Sequence, residues 1–305
     1  MEKQSHIEVS YPFLKRLRLP FRGRSRRVSV RRFPPLFPAV IILLAVVAAI
    51  FGEQLAPHSP VEPDFLNRLS PPVWVDGGMW KYPLGTDSLG RDVLSRIIVG
   101  SRISMTVAVA ALGIAALVGV AVAIATAYYS RAWLSTVLLR IVDSLVPIPV
   151  IFIGLIIAAV YGPSMPAVVT SLAVIAWARF CRGIRGDALR IMEMDYVAMA
   201  KVEGCSSPYI MVRHVFPNLV NTLIVLFTLL AGWAILVEAS LSFLGAGVPP
   251  PAPSWGRMVS SGQDHIISGW WISSVPGAAI LLVVLAFNQA GDWLRDRLDP
   301  NLEVA

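Results

Sequence analysis

Long apolar runs constrain this 305-residue chain more than any other feature. A helix needs about 20 mainly apolar residues to cross the hydrocarbon core of a bilayer. These runs are apolar on every face, whereas a spanning β-barrel shows short alternating segments. With 56% apolar and only 15% charged residues, the sequence predicts an all-α integral membrane protein with about six transmembrane helices. The predicted spans lie at residues 36–52, 103–129, 137–162, 166–180, 219–247 and 271–293.

The basic residues predict the orientation of these helices. Residues 1–33 carry ten Lys or Arg and two acids, and such residues favour the cytoplasmic side. Both termini are therefore expected in the cytoplasm, and the net charge of +7 is attributed to topology and anionic lipid rather than to nucleic acid. The long basic leader, with no clear cleavage site after the first run, favours a retained anchor over a signal peptide.

This topology divides the chain into segments. A basic cytoplasmic segment (1–35) precedes the first transmembrane helix (36–52) and an outer insert (53–102). The core (103–293) holds five further helices and a cytoplasmic loop (182–217), and a cytoplasmic tail (294–305) follows.

Enzymatic and metal-binding functions find little support in the sequence. The two Cys and four His show no metal-ligand spacing, and no Ser or Cys lies in a nucleophile motif. An ion-coupled secondary transporter is the alternative function, but it predicts paired carboxylates at mid-membrane. Asp143 is expected near a helix end, paired with Arg140 one turn away. Glu238 is expected near the outer surface, where it holds the turn "SLSFLGAG". A passive channel or scaffold is a third possibility.

Two outer segments and several prolines carry local predictions. Asp87 or Ser88 is predicted to cap an amphipathic helix, and its periodicity alone favours a helix lying on the bilayer surface. The Pro- and Gly-rich segment 245–270 is predicted to be a constrained loop, with its Trp residues, Trp255 among them, near headgroup depth. Prolines at 147, 149 and 276 are expected to interrupt helices three and six.

The loop 182–217 is too long for a simple connection. Its pattern predicts two short helices, one over residues 188–202 and one opening at "SSPY", that meet at Gly204. Such a unit suits docking by a soluble partner, and a loop held on the membrane surface is the alternative.

The string "YVAMAKVEG" followed by "RHVFPN" resembles the coupling loop of bacterial ABC importer permeases, with ungapped spacing. Ala198, Met199 and Ala200 take the Glu-Ala-Ala positions, Gly204 the Gly, and His214, Phe216 and Pro217 the final set. The strings "YPLGTDSLGRDVLSRIIVGSRISM" and "EASLSFLGAGVPPPAPSWGRM" resemble the C-type permease of dipeptide and oligopeptide importers, a family that includes nickel and glutathione importers.

This resemblance implies a type I ABC importer permease fold in the cell inner membrane. It implies a complex with a homologous B-type permease, two ATP-binding subunits and an extracytoplasmic solute-binding protein. ATP and Mg²⁺ then belong to the ATPases, since this chain has no phosphate loop and is expected to bind no cofactor. The family's acidic residue is here Ala198. Asp195 or Glu203 is expected to supply that charge, and docking through shape and through Arg213 and His214 is the alternative.

The resemblance also selects candidate site residues, grouped by segment. The coupling loop contributes Tyr196, Ala198, Met199, Ala200, Gly204, Ser206, Arg213, His214 and Pro217. The outer insert contributes Gly85, Asp87, Gly90, Arg91 and Asp92. Its charges are expected to form ion pairs that fix it against the permease core, where it shapes the translocation mouth or the docking platform. The outer loop after helix five contributes Glu238, Gly245, Trp255 and Gly256.

Overall fold

The computed structural model describes residues 35–298. The expected cytoplasmic leader and the end of the tail lie outside these residues. Ten α-helices make up the described part: α1 Leu36–Leu55, α2 Val93–Tyr128, α3 Trp133–Leu145, α4 Val150–Tyr161, α5 Met165–Met192, α6 Asp195–Val202, α7 Ser207–Tyr209, α8 Phe216–Phe243, α9 Trp255–Ser261 and α10 Trp271–Leu298. A π-helical segment, Ile210–Val215, joins α7 to α8. Between residues 35 and 298 there is no β-strand, only an isolated bridge.

Within residues 35–298, five helices are long and apolar enough to cross a membrane, and there are six crossings if α3 and α4 count as one bent span. These two helices meet at 89°. Pro147 and Pro149 lie at the bend, so the predicted interruption of helix three is confirmed. The predicted interruption at Pro276 is wrong, because α10 continues through it. Pro276 lies in the second turn, where the missing N–H removes only one hydrogen bond near the helix start.

Several helices extend beyond the apolar runs that predicted them. α2 begins at Val93, so the last ten residues of the predicted insert belong to a transmembrane helix. α5 continues to Met192, well past the predicted end at residue 180. Hydropathy detects the part of a helix that faces lipid, and these ends carry polar residues.

The helix predicted over residues 188–202 is also wrong. The chain leaves α5 at Glu193, Met194 is extended (φ −72°, ψ 143°), and α6 then begins at Asp195. The helix formers on both sides of this break give one periodic pattern, which hides a change of direction.

Small residues bring the long helices close together. α2 packs along α5, and Gly119 lies against the backbone of Trp177 and the side chain of Phe180 with no space for a Cβ. Gly291 of α10 packs in the same way against Leu229 of α8. Close backbone approach of this kind is the usual basis of helix association in membranes.

The bundle has two ends that differ in content. The loop end holds α6, α7 and the π-segment, and Lys201 of α6 lies 5.3 Å from the ring centroid of Tyr128 at the end of α2. The insert end holds residues 56–92 and 244–270, and Trp255 of α9 donates to the carbonyl of Ile97 near the start of α2. The described candidate residues therefore fall into two groups, one at each end.

Candidate functional site

At the loop end, α6 is fixed to the bundle by one face and open on the other. Val197 is fully buried and Ala200 is 5% exposed. On the opposite face, Met199 is 63% exposed and Val202 is 88% exposed. Ala198, in the position of the family's acidic residue, is also exposed. The short helix therefore presents apolar side chains outward without a cover in the described chain.

Gly204 ends α6 in a left-handed conformation, with φ at +80°. Its N–H donates to the carbonyl of Lys201 and the N–H of Cys205 donates to Ala200, which is the Schellman pattern of a helix end. A Cβ at Gly204 would meet no atom within 4 Å. Glycine is therefore required by backbone conformation and not by space.

The second helix of the loop begins where the sequence predicted, with Ser206 extended and Pro208 in the first turn. It is not a short helix, because it continues through the π-segment into α8 as one 37-residue span, Ser207–Phe243. Arg213 and His214 lie on the π-segment, and Pro217 lies in the first turn of α8. A π-segment inside a helix commonly marks a functional site.

Side-chain contacts join α6 to the start of α8. The amide of Asn218 donates to the carbonyl of His214 at 2.7 Å and to the hydroxyl of Tyr196 at 3.2 Å. The His214 ring lies 5.6 Å from the ring of Tyr209 and 6.3 Å from that of Tyr196, measured between centroids. These contacts join α6 and the start of α8 into one structural unit.

We define the loop-end surface as the exposed apolar side chains of this unit. Asp195, at the first position of α6, and Glu203, at its C-cap, are both exposed and lie at opposite ends of the short helix. Arg213 is exposed as well. The members of the loop-end surface, 39–88% exposed, are Met194, Tyr196, Met199, Val202, Tyr209, Val212 and Phe216.

At the insert end, Asp87 is buried within the predicted ion-pair group. Its carboxylate lies 2.7 Å from Nε of Arg91 and 3.6 Å from Nε of Arg96, and these side chains are 5%, 15% and 6% exposed. Arg102 pairs instead with Glu53, at an exposed position. The predicted ion pairs of Asp87 are therefore present and largely shielded from solvent.

The surface helix that periodicity alone favours is wrong. Asp92, and neither Asp87 nor Ser88, caps the helix by accepting from the N–H groups of Leu94 and Ser95. Val93 is fully buried. An apolar helix face packs on protein as readily as on lipid, and periodicity does not distinguish the two cases.

Two glycines let the insert approach the bundle closely. Gly85 and Gly90 have φ values of +79° and +81°, and a Cβ at Gly85 would collide with the indole of Trp271. A Cβ at Gly90 would collide with the backbone of Asp64. The Trp271 indole N–H donates to the carbonyl of Thr86 at 3.0 Å, which fixes the insert to the start of α10.

Glu238 is fully buried near the insert end of α8. It accepts from Ser242 at 2.8 Å, which confirms the predicted tie to the turn that follows, and from Ser104 of α2 at 2.7 Å. Gly245 (φ +82°) ends α8 in a second Schellman pattern. Gly256 of α9 packs directly on the backbone of Ala239. The candidate residues of the outer loop therefore join α2, α8 and α9.

Comparison with known proteins decides the family. Residues 115–304, more than half of the chain, match the family described as binding-protein-dependent transport system inner membrane component. The chain belongs to this family. The sequence is 38% identical to the di/tripeptide transport system permease protein DppC of Pseudomonas aeruginosa over 87% of this chain and 88% of the relative. It is 37% identical to the dipeptide transport system permease protein DppC of Escherichia coli K12 over the same shares. It is 33% identical to the glutathione transport system permease protein GsiD of Pectobacterium atrosepticum, over 95% and 94%.

These relatives confirm the resemblance to peptide ABC importer permeases. The protein is an ABC importer permease of the multi-pass inner membrane type, and its helices fit the type I permease fold.

One sequence-based expectation about a side chain in the permease needs correction. Asp143 pairs with Arg182 of α5 at 2.7 Å and not with Arg140, because tertiary packing brings α3 beside α5. Of the loop tryptophans, Trp255 and Trp271 are 2% and 4% exposed, so they are buried in the protein, and their headgroup depth stays a prediction.

Sequence patterns did not reveal some residues of the permease whose side chains contact distant parts of the chain. Ser104 is one, since a single serine in an apolar run gives no signal of its partner. Arg179 is another: its guanidinium lies over the ring of Trp233, with Cζ 4.3 Å from the centroid. A basic residue within the run 166–180 was the only available signal.

Proposed function

We propose that this permease imports peptides or related small solutes, pairs with a second permease, and converts the closure of two ATPase subunits into alternating access. The loop-end surface is the observation that carries this proposal. Unpartnered apolar patches rimmed by polar residues mark protein interaction sites. The names of the relatives, which refer to dipeptide, di/tripeptide and glutathione transport, support the solute class.

The contacts of α6 indicate how a displacement of this helix reaches the rest of the permease. Val197 and Ala200 pack the helix against the bundle, and the hydrogen bond of Asn218 joins it to the start of α8. The continuous span Ser207–Phe243 is about 55 Å long at about 1.5 Å per residue. A displacement of α6 by a partner is thus transmitted along α8 to the buried group around Glu238 at the insert end.

The proposed arrangement in the membrane has the loop end in the cytoplasm, beside the ATPases. The insert end then faces the extracytoplasmic solute-binding protein, with the platform built around Asp87 as its contact. ATP and Mg²⁺ bind to the ATPases, and this chain contributes motion and no cofactor.

Co-purification from cells that express the whole complex tests the docking role. A double variant, Met199→Asp with Val202→Asp, is expected to insert normally but to retain at least tenfold less ATPase, because two charges replace exposed apolar contacts. Leu66→Asp is the matched control, since Leu66 is 97% exposed in the insert. Equal ATPase retention by the double variant and the control would contradict the proposal.

Uptake into proteoliposomes separates this function from the ion-coupled alternative. With ATP and the binding protein present, solute uptake should continue when a protonophore collapses the proton gradient, and it should stop when ATP is withheld. The opposite dependence would identify a secondary transporter.

A further inference from the structure

Arg179 lies in the apolar part of α5, where a charged side chain is energetically costly and is usually functional. Its Nε is buried and has no hydrogen-bond partner in residues 35–298. The contact with the ring of Trp233 is a cation–π interaction, which leaves most guanidinium donors without an acceptor. No carboxylate of the described chain lies within ion-pair distance of Arg179.

A cavity of about 400 Å³ lies between α5, α8 and α10, one helical turn from this pair. Gly183 and Leu229 line it at the end away from the loop end. Arg179 comes one helical turn before Gly183, and Trp233 comes one turn after Leu229, so both lie one turn further toward the insert end. The Arg179–Trp233 pair therefore lies one turn beyond the inner limit of the cavity and is not part of its wall.

The cavity wall combines two free cations with one fixed anion. Arg190 and Arg295 line it, and neither forms an ion pair within the described residues. Asp187 is held by the hydroxyl of Thr222, which donates to its carboxylate at 2.6 Å. Guanidinium groups bind carboxylates with two parallel hydrogen bonds, and a carboxylate such as Asp187 suits an ammonium group.

We propose that this cavity is a binding site for the carboxylate end of the transported solute, and that Arg179 over Trp233 is the point at which the carboxylate enters it. The inference rests on the proposed import function and deepens it by naming the chemical class, a small zwitterion with a free carboxylate. Arg190 and Arg295 hold the anion near the loop end, Asp187 accepts the ammonium group, and Arg179 provides guanidinium donors one turn beyond the inner limit.

A single cysteine reports occupancy of the site. Gly186 lies on α5 between Gly183 and Arg190, is exposed, and a Cβ there meets no atom within 4 Å. Gly186→Cys is placed in a background with Cys181→Ala and Cys205→Ser. The whole complex, without nucleotide, is labelled with a charged methanethiosulfonate in the presence of the dipeptide Ala-Ala or its C-terminal amide.

Saturating Ala-Ala is expected to slow labelling at least tenfold, and the amide less than twofold. Arg190→Gln should abolish the protection by Ala-Ala, because Arg190 lines the cavity. Arg182→Gln is the matched control and should retain it, because Arg182 is an exposed arginine of the same helix that already pairs with Asp143.

Equal protection by Ala-Ala and its amide, or none by either, would overturn the carboxylate site. Protection that follows the phosphatidylglycerol content of the vesicles and not the peptide would assign the cavity to a lipid headgroup instead. ATP-driven uptake is measured on the same preparation. If uptake continues without protection, only the site fails, whereas loss of both overturns the site together with the import function.

Discussion

The hydroxyl of Ser104 on α2 donates to the buried carboxylate of Glu238 on α8 across 2.7 Å, joining positions 134 residues apart. The other carboxylate oxygen accepts from Ser242, so both oxygens are satisfied in a fully buried position. Two transmembrane helices are thereby fixed to each other close to the loop that follows α8.

Removing this acceptor should destabilise the permease. Glu238→Leu leaves the hydroxyls of Ser104 and Ser242 buried without their acceptor, which costs about 1–3 kcal/mol. Glu238→Gln keeps the shape and one accepting oxygen, so a smaller loss is expected. Thermal unfolding in detergent measures both variants, and a Leu variant as stable as the Gln variant would show that the hydrogen bonds contribute little.

Replacement of Gly204 should uncouple the ATPase. Gly204→Val forces a β-branched residue into a left-handed conformation, at a cost of about 1–3 kcal/mol. Gly204→Asn is the matched control, because asparagine tolerates this conformation and the site has space for its side chain. The Val variant is expected to insert and lose ATPase, while the Asn variant retains it. Equal ATPase retention would show that the helix end is not critical for docking.

Substitution of charged residues in the insert should impair delivery of solute by the binding protein. Arg91→Glu places a second acid against the buried carboxylate of Asp87, and Asp92→Ala removes the cap of α2, worth about 1 kcal/mol. Binding-protein-stimulated ATP hydrolysis and uptake should fall, while both ATPases remain bound. Arg102→Glu, at the exposed pair with Glu53, is the control and should have little effect. Normal uptake by the first two variants would leave this segment with a structural role alone.

The insert should loosen in strong acid through Asp64. Hydrogen bonds from Asn67 and Tyr82 lower the pKa of Asp64 from 3.8 to about 2. A lowered pKa means that the stabilising contribution is present above about pH 4 and is lost as the pH falls through about 2. Pepsin cleavage within residues 64–90 should therefore rise between pH 4 and pH 2. Asp64→Asn should weaken that pH dependence, and Asp76→Asn, at an exposed carboxylate of the same insert, should preserve it.

Reporter fusions test the proposed orientation. A reporter after Ser261, at the insert end, should be extracytoplasmic, and one after Cys205, at the loop end, should be cytoplasmic. Between Cys205 and Ser261 the chain has one membrane-length helix, the span that contains α8. Reporters on the same side would therefore show that α8 does not cross the membrane.

The sequence alone determined the membrane class, the all-α fold class and the family. Each rests on information that is local along the chain: an apolar run long enough to span a bilayer, or a motif with fixed spacing. The same holds for Gly204 and Pro208, whose backbone requirements act within a few residues and whose predicted places at helix ends are found in the structure.

Tertiary structure decided which partners these residues have. Asp143 pairs with Arg182 of α5 and not with its helical neighbour Arg140. The residues that periodicity alone predicts as a surface helix form the buried start of α2. Arg179 contacts Trp233 because α5 packs beside α8. A hydrophobic period reports that one face of a helix avoids water, but it carries no information about which surface covers that face or which distant side chain meets a buried charge. Those choices depend on contacts between residues far apart in the chain, which form only when the helices assemble.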